Sequence, residues 1–176
     1  MVGLIFSAGY GKRLGRITKT MPKCMIKVAG KPCLERIVSK IEALGVDRII
    51  VNTHWLPLKI MEYFGERLLY TFEPELLGEG NTLKQLKNWL AGEYVILANG
   101  DTLSDVSLKN MLELSIYAAT NVRFMDNGVY AGYSVLHPSY FDGNQEFVDY
   151  EDGSYWVDIG TPAKLKEANE HFSHRK

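Results

Sequence analysis

The apolar run Leu4-Ile5-Phe6 stops abruptly at Ser7-Ala8-Gly9-Tyr10-Gly11-Lys12-Arg13-Leu14, and no other stretch constrains the fold as much. An apolar run ending in Ala-Gly-x-Gly reads as a buried strand that feeds a tight glycine loop. Glycines there let backbone N–H groups turn towards an anion without a Cβ in the way. Lys12, Arg13 and, behind Pro22, Lys23 bring positive charge to the same place. Together they describe a polyphosphate site at the carboxyl end of a strand, where α/β folds bind their ligands. Two familiar glycine loops are excluded by spelling. A GxxxxGK[ST] loop would need Gly at position 6 and Ser or Thr at 13, where Phe6 and Arg13 stand. A GxGxxG fingerprint would need Gly at the position of Leu14. A plain strand–turn with solvated basic residues is the alternative reading of Gly-x-Gly taken alone.

The 176 residues, 46% of them hydrophobic, suit one domain with a sizeable core. Lys plus Arg number 20 and Asp plus Glu 21. That balance leaves no basic excess to track nucleic acid or an anionic membrane. Cys24 and Cys33 are too few for a disulfide framework or a metal knuckle, and read as reduced thiols of a cytoplasmic protein. The N-terminus enters the first strand with no charged leader, so neither signal peptide nor membrane-spanning run is expected.

Further along, strands and helices alternate. Residues 25–28 read as a short strand, closed by the Gly30-Lys31-Pro32 turn. Leu34, Ile37, Val38, Ile41 and Leu44 recur at helical spacing before Gly45. A β-branched strand follows over 48–52, a helix over 58–64 and a strand over 68–72. The loop 73–80 leads to one helix carrying Leu83, Leu86, Trp89 and Leu90 on a single face. A strand over 94–98 then ends at Asn99-Gly100-Asp101. This alternation predicts a parallel sheet covered on both faces. Past Asp101 the pattern changes to one helix through Leu114 and extended segments over 116–124 and 129–136. Asp126-Asn127-Gly128 joins those segments as a hairpin turn. Shorter strands over 147–150 and 155–157 flank the turn at 151–154, and a last helix starts at Thr161-Pro162, with Thr161 as its cap.

Asp101 ends a buried strand, so its carboxylate should project over the sheet's carboxyl edge. Asp158 lies between an aromatic strand and the Ile159-Gly160-Thr161-Pro162 turn. Two carboxylates reaching one spot would hold Mg²⁺, a hard ion that also takes substrate phosphates. A turn-forming Asp101 and an Asp158 that caps local N–H groups are the competing readings. His54 has no second His or Cys at metal spacing and reads as a locally bonded side chain.

The spelling Ala8-Gly9-Tyr10-Gly11-Lys12-Arg13-Leu14, followed by Pro22-Lys23 and Gly30-Lys31-Pro32, resembles the signature of the sugar-1-phosphate nucleotidylyltransferases. Val51-Asn52-Thr53-His54-Trp55, Leu77-Gly78-Glu79-Gly80, Asn99-Gly100-Asp101 and Trp156-Val157-Asp158-Ile159-Gly160-Thr161-Pro162 agree with it in the family's order. The resemblance implies a Rossmann-like, three-layer α/β nucleotidyltransferase fold with a small β-rich C-terminal flank. It also implies a single domain over 1–176, with a nucleotide-binding half to about residue 105 and an acceptor half after it. The implied reaction joins a nucleoside triphosphate to a sugar phosphate and releases pyrophosphate. By the same resemblance Ala8, Gly9, Gly11, Glu73 and Gly78 hold the nucleotide, Asp101 and Asp158 hold Mg²⁺, and Gly132 and Tyr133 lie beside the sugar. Arg13 would clamp the departing phosphates, Lys23 would bridge the α-phosphate and the acceptor, and Lys12 would stay solvated. Glu73, where some relatives have Gln, accepts hydrogen bonds only and would favour guanine.

The match breaks in the second half. The Glu-Lys-Pro segment that relatives use for the sugar phosphate is absent between Asp101 and Ala131, and that region is short. A trimmed site leaves two further readings: a cytidylyltransferase for a small phosphate such as phosphocholine, or a silent nucleotide-binding regulatory subunit. It also predicts either loose acceptor choice with weak acceptor binding, or a second subunit that completes the pocket by docking on aromatic residues exposed between Tyr130 and Tyr140.

Overall fold

A computed structural model describes residues 1–173. In chain order the strands are β1 (Val2–Phe6), β2 (Lys27–Val28), β3 (Lys31–Pro32), β4 (Arg48–Thr53), β5 (Leu69–Phe72), β6 (Val95–Asn99), β7 (Thr102–Ser104), β8 (Asn121–Asp126), β9 (Val129–Leu136), β10 (Phe147–Tyr150) and β11 (Trp156–Asp158). The helices are α1 (Cys33–Glu42), α2 (Pro57–Phe64), α3 (Glu79–Gln85), α4 (Lys87–Leu90), α5 (Leu108–Ala118) and α6 (Pro162–Ser173).

Seven strands form one sheet in the order β10-β8-β9-β6-β1-β4-β5. Only β9 runs against its neighbours, so the sheet is mostly parallel, as expected. Buried on both faces, β1 alternates its side chains between two apolar clusters. Val2 and Leu4 pack with Leu83, Leu86 and Leu90 under α3 and α4, whereas Ile5 packs with Ile37, Val38 and Ile41 of α1. The chain leaves β1 towards β4 and β5, then returns to place β6 on the other side. That reversal opens a crevice at the carboxyl ends of β1 and β6. Register lines those ends up, since Phe6 pairs with both Asn52 and Asn99.

Several boundaries differ from the sequence reading. The single helix expected after residue 80 is two short ones, starting at Glu79 and broken at Leu86. Residues 116–118 belong to α5 rather than to a strand. Ile116 and Tyr117 favour strands intrinsically, but both sit on the helix's solvent face, where propensity is easily overridden. Ala119 in the left-handed region then ends α5, its N–H reaching the Ser115 carbonyl. The hairpin at Asp126-Asn127-Gly128 forms with Asn127 and Gly128 both at positive φ. The strands flanking the 151–154 turn do not pair with each other: β10 joins β8 in the main sheet, and β11 pairs antiparallel with β7. Thr161 caps α6 by accepting from Lys164 N–H.

Tyr130 and Tyr140 are half-buried and Tyr133 is fully buried, so the expected exposed aromatic surface between them does not exist. Among the described residues no helix is long and apolar enough to cross a membrane.

Ile37 is wholly buried between α1 and the sheet. Ile37→Ala should therefore destabilise the fold by about 2–5 kcal/mol, read as a lower denaturant midpoint at unchanged slope.

Candidate active site

A cleft of about 280 Å³ opens at the carboxyl edge, lined among others by Ala8, Gly9, Glu73, Gly78, Asn99 and Asp101. Its frame is a relay of buried hydrogen bonds. Asn52, at the end of β4, accepts from Ser7 N–H at 2.6 Å and donates to the Glu73 carboxylate at 2.9 Å. Glu73, itself buried, also receives the Thr82 hydroxyl and the Leu77 N–H. The relay fastens the glycine loop to the 73–80 loop across the cleft. His54 makes a second tie, with Nδ1 2.7 Å from the Glu73 carbonyl and Nε2 2.6 Å from the Tyr10 hydroxyl. The carbonyl can only accept, so Nδ1 carries a proton and donates to it.

Glu73 therefore does not read a base as expected. Both of its carboxylate oxygens are engaged by Asn52, Thr82 and Leu77, which makes it the brace of the wall. The argument for guanine that rested on it lapses. Gly11 lies outside the cleft lining. It packs instead against Thr18 and the stem of Lys23, fixing the root of that side chain.

Asp101 arrives through a close approach that only glycine permits. A Cβ on Gly100 would stand 2.2 Å from Ser7 Oγ, and the Gly100 N–H donates to the Phe6 carbonyl at 2.8 Å. Asp158 arrives from β11, whose pairing sets it opposite Thr102, and Ile159 N–H donates to the Asp101 carbonyl at 2.9 Å. Both carboxylates thus belong to one corner. Lys23 pairs with Asp101, and Lys164 with Asp158.

Gly160 shows how tightly the corner is drawn. A methyl group there would lie 2.5 Å from Asp158 Oδ1, 2.8 Å from an Arg13 guanidinium nitrogen and 3.1 Å from Lys23 Nζ. Arg13, Lys23 and Asp158 therefore converge, and Asp101 joins them through Lys23. Burial pushes the Asp158 carboxyl up, but Lys164, the Gly160 N–H and Lys23 outweigh it and hold its pKa below the ordinary value. Lys12 points elsewhere, with its ammonium 5.2 Å from the centre of the Tyr10 ring.

Asp101 and Asp158 offer hard oxygen donors of the kind Mg²⁺ takes together with phosphate oxygens and water. Among the described residues no group of three His, Cys, Asp or Glu gathers as a metal cage. The donor set fits an ion completed by a substrate's oxygens.

Tyr133 is not beside an acceptor. Its ring is in the core and its hydroxyl donates to the Thr102 carbonyl at 2.7 Å. Gly132 packs on Thr102, and a Cβ there would lie 3.0 Å from that side chain. Sequence reasoning also missed Lys164, Asn52, Thr82 and Glu79. Lys164 had a signal, being a basic residue in the first turn of the helix that follows Asp158. Cys24 and Cys33 are free and buried, and burial pushes the Cys24 thiol up to about 12, so neither supplies a thiolate.

The model of the MobA-like NTP transferase domain matches residues 3–142. The chain belongs to that family. It is 28% identical over 228 aligned positions to the bifunctional protein GlmU of Methanococcus maripaludis, covering 99% of this chain and 55% of the relative. It is 35% identical over 121 positions to the D-glycero-alpha-D-manno-heptose 1-phosphate guanylyltransferase of Aneurinibacillus thermoaerophilus, covering 66% and 53%. The chain thus spans about half the length of these relatives. The GlmU alignment is longer than this chain's 176 residues, so that relative carries stretches here that this NTP transferase domain lacks. The fold matches a UDP-glucose pyrophosphorylase from Acinetobacter baumanii with a TM-score of 0.82 at 16% identity, over 100% of this chain and 95% of the other.

Removing the brace should loosen the cleft. Glu73→Ala leaves the Asn52 amide N–H without its buried acceptor and leaves Thr82 only the Gly78 carbonyl, and should cost about 1.5–3 kcal/mol in unfolding free energy. Hydrogen exchange should rise first at the Ser7 and Leu77 amides, whose partners belong to the relay.

Proposed function

We propose that this NTP transferase domain joins a nucleoside triphosphate to a sugar 1-phosphate, giving a nucleotide sugar and pyrophosphate. The observation that carries the reading is the meeting of Arg13, Lys23 and Asp158 at Gly160, with Asp101 on the same corner, at the rim of a braced cleft. Relatives whose names describe guanylyl transfer to a sugar phosphate support it, as does the shared fold.

The chemistry needs no general base, because an acceptor phosphate is already anionic and nucleophilic at neutral pH. Its oxygen attacks the α-phosphorus in line, the bond to the β-phosphate oxygen breaks, and pyrophosphate leaves with that electron pair. Catalysis is then a matter of alignment and of charge placed where charge builds up. Arg13, exposed at the rim, offers a planar fork of donors to the departing phosphates. Lys23, a buried point charge, faces the reacting α-phosphate and the incoming one. Lys164 and the Gly160 N–H keep Asp158 ionised and in place. Mg²⁺ held by Asp101 and Asp158 would neutralise charge on the phosphates. The buried wall of Asn52, Glu73 and Thr82 keeps the cleft open for the base beside Gly78.

The test is a screen of four nucleoside triphosphates against sugar 1-phosphates and phosphocholine, scored by pyrophosphate release with Mg²⁺ present. Turnover with at least one sugar 1-phosphate is expected. Nucleotide binding with no turnover for any pair would favour a regulatory subunit instead. Asp101→Asn and Asp158→Asn should each abolish turnover while the melting temperature stays within a few degrees; near-native rates in either would remove the shared carboxylate corner. Lys23→Ala should lower kcat by about 10²–10³-fold with a smaller effect on nucleotide affinity, since its contact is with charge gathered during reaction.

A further inference from the structure

A second cavity, of about 500 Å³, opens between the glycine loop and Trp55, just past the end of β4. Tyr10, Lys12, Arg16, Thr18, Lys19 and Trp55 line it, and none of them lines the cleft described above. Its volume falls in the range of about 300–1,000 Å³ that small-molecule sites occupy.

The cationic lining follows from local backbone geometry. No acid precedes Glu35 in the sequence, so the loop's basic residues have no acidic neighbour along the chain. Lys12 and Arg13 open a 3₁₀ turn, Lys12–Leu14, in which successive side chains point about 120° apart. Arg13 accordingly crowds towards Gly160, while Lys12 lies over the Tyr10 ring in the second cavity. A further 3₁₀ turn, Ile17–Lys19, starts from Arg16, and the Lys19 N–H donates to the Arg16 carbonyl at 3.3 Å. Residues three apart eclipse in such a turn, which sets Arg16 and Lys19 on one face. Like charges held together repel until an anion meets them. Among the described residues none of Lys12, Arg16 and Lys19 forms an ion pair.

The other lining is aromatic. Trp55 donates its Nε1–H to the Thr18 carbonyl at 2.8 Å, and the Tyr10 hydroxyl lies 2.6 Å from His54 Nε2. Each ring has its polar atom engaged within the protein, so what it gives the cavity is ring surface. The two ring centroids are 5.4 Å apart.

We infer that this cavity is a second nucleotide site, with the base against Trp55 and Tyr10 and the phosphates on Lys12, Arg16 and Lys19. Bare phosphate would use the cations and leave the rings idle, and an uncharged aromatic compound would do the reverse. A nucleotide uses both, and stacking on an aromatic side chain accepts any base. No acid lines the cavity, so it binds its nucleotide without the carboxylate corner of the cleft. Tyr10 connects the two places, since its hydroxyl reaches His54, whose Nδ1 holds the Glu73 carbonyl of the cleft wall. An occupant leaning on Tyr10 therefore bears on that wall. The inference goes beyond the reaction proposed for the cleft and does not depend on it.

Isothermal titration with ADP, GDP and inorganic pyrophosphate tests it. The wild type is compared with the double variant Arg16→Ala, Lys19→Ala and with Arg13→Ala, each checked for an unchanged melting temperature. The wild type should bind two equivalents of either diphosphate per chain. The double variant should lose one of them, weakened about 10–100-fold for each cation removed, and keep the other. Arg13→Ala should weaken that other event instead. Pyrophosphate should bind the second cavity about 5–100-fold more weakly than ADP or GDP, because it has no base to stack. A single event weakened by both Arg13→Ala and the double variant would make the cavity an outer part of the cleft and overturn the inference. So would binding that the double variant leaves untouched, or pyrophosphate binding as tightly as the diphosphates. A single event lost in the double variant and unmoved by Arg13→Ala would uphold the second site while counting against the reading of the cleft.

Discussion

The Asn52 side chain holds the site together. Its amide oxygen takes the Ser7 N–H, where β1 gives way to the glycine loop, and its amide nitrogen reaches the buried Glu73 carboxylate on the far wall. An amide suits this place because it accepts on one side and donates on the other. Aspartate at position 52 would set two carboxylates against each other, and leucine would leave the buried Ser7 N–H without an acceptor and take one donor from Glu73. Both walls of the cleft are therefore set before any ligand arrives. The His54 bridge repeats the tie one layer out, through the Glu73 carbonyl and Tyr10. A preformed cleft matters because positioning supplies most of the rate when the nucleophile needs no activation.

The second constraint is the crowding of charge at the mouth. Lys23 and Asp101 neutralise one another, as do Lys164 and Asp158, and Arg13 crowds against Gly160. Such an arrangement is stable alone yet easily rebalanced, since a polyphosphate brings negative charge that the cations can turn to. Gly160 is what lets the charges meet, because any side chain would wedge Asp158 from Arg13. The corner depends in turn on two pieces of fold: the β7–β11 pairing that carries Asp158, and the Gly100 turn that presses Asp101 against the end of β1.

Much of this was legible in the sequence, for reasons that can be stated. β1, β4 and β6 are buried on both faces and so read as short apolar runs closed by polar residues. Asp101 was legible because it follows such a run behind a glycine, and Arg13 because it follows a glycine loop. Asn52 and Glu73 were not recognised as a pair, since their contact joins β4 to a residue 21 positions on, just past the end of β5. Local pattern carries no trace of such a bond. Tyr133 was misplaced for a related reason: alternation says that a strand residue faces one side or the other, but not which side is the core. Ile116 and Tyr117 were read as strand because their intrinsic preference points that way, and only the packing of Met111 and Ser115 beneath them keeps the helix going. Lys164 was passed over because a lysine on an exposed helix is ordinarily solvated. Here the cap at Thr161 turns it back over Asp158.

We propose direct displacement arranged by fixed charges, with no protein nucleophile. Ser7 is buried behind Gly100, and the Cys24 thiol is buried with its pKa raised by that burial. The most direct test is the stereochemical course at the α-phosphorus, followed with a nucleoside 5′-(α-thiotriphosphate) of known configuration and a turned-over sugar 1-phosphate. One in-line attack predicts inversion at that phosphorus. Retention would require two displacements through a nucleotidylated side chain, and would contradict the account.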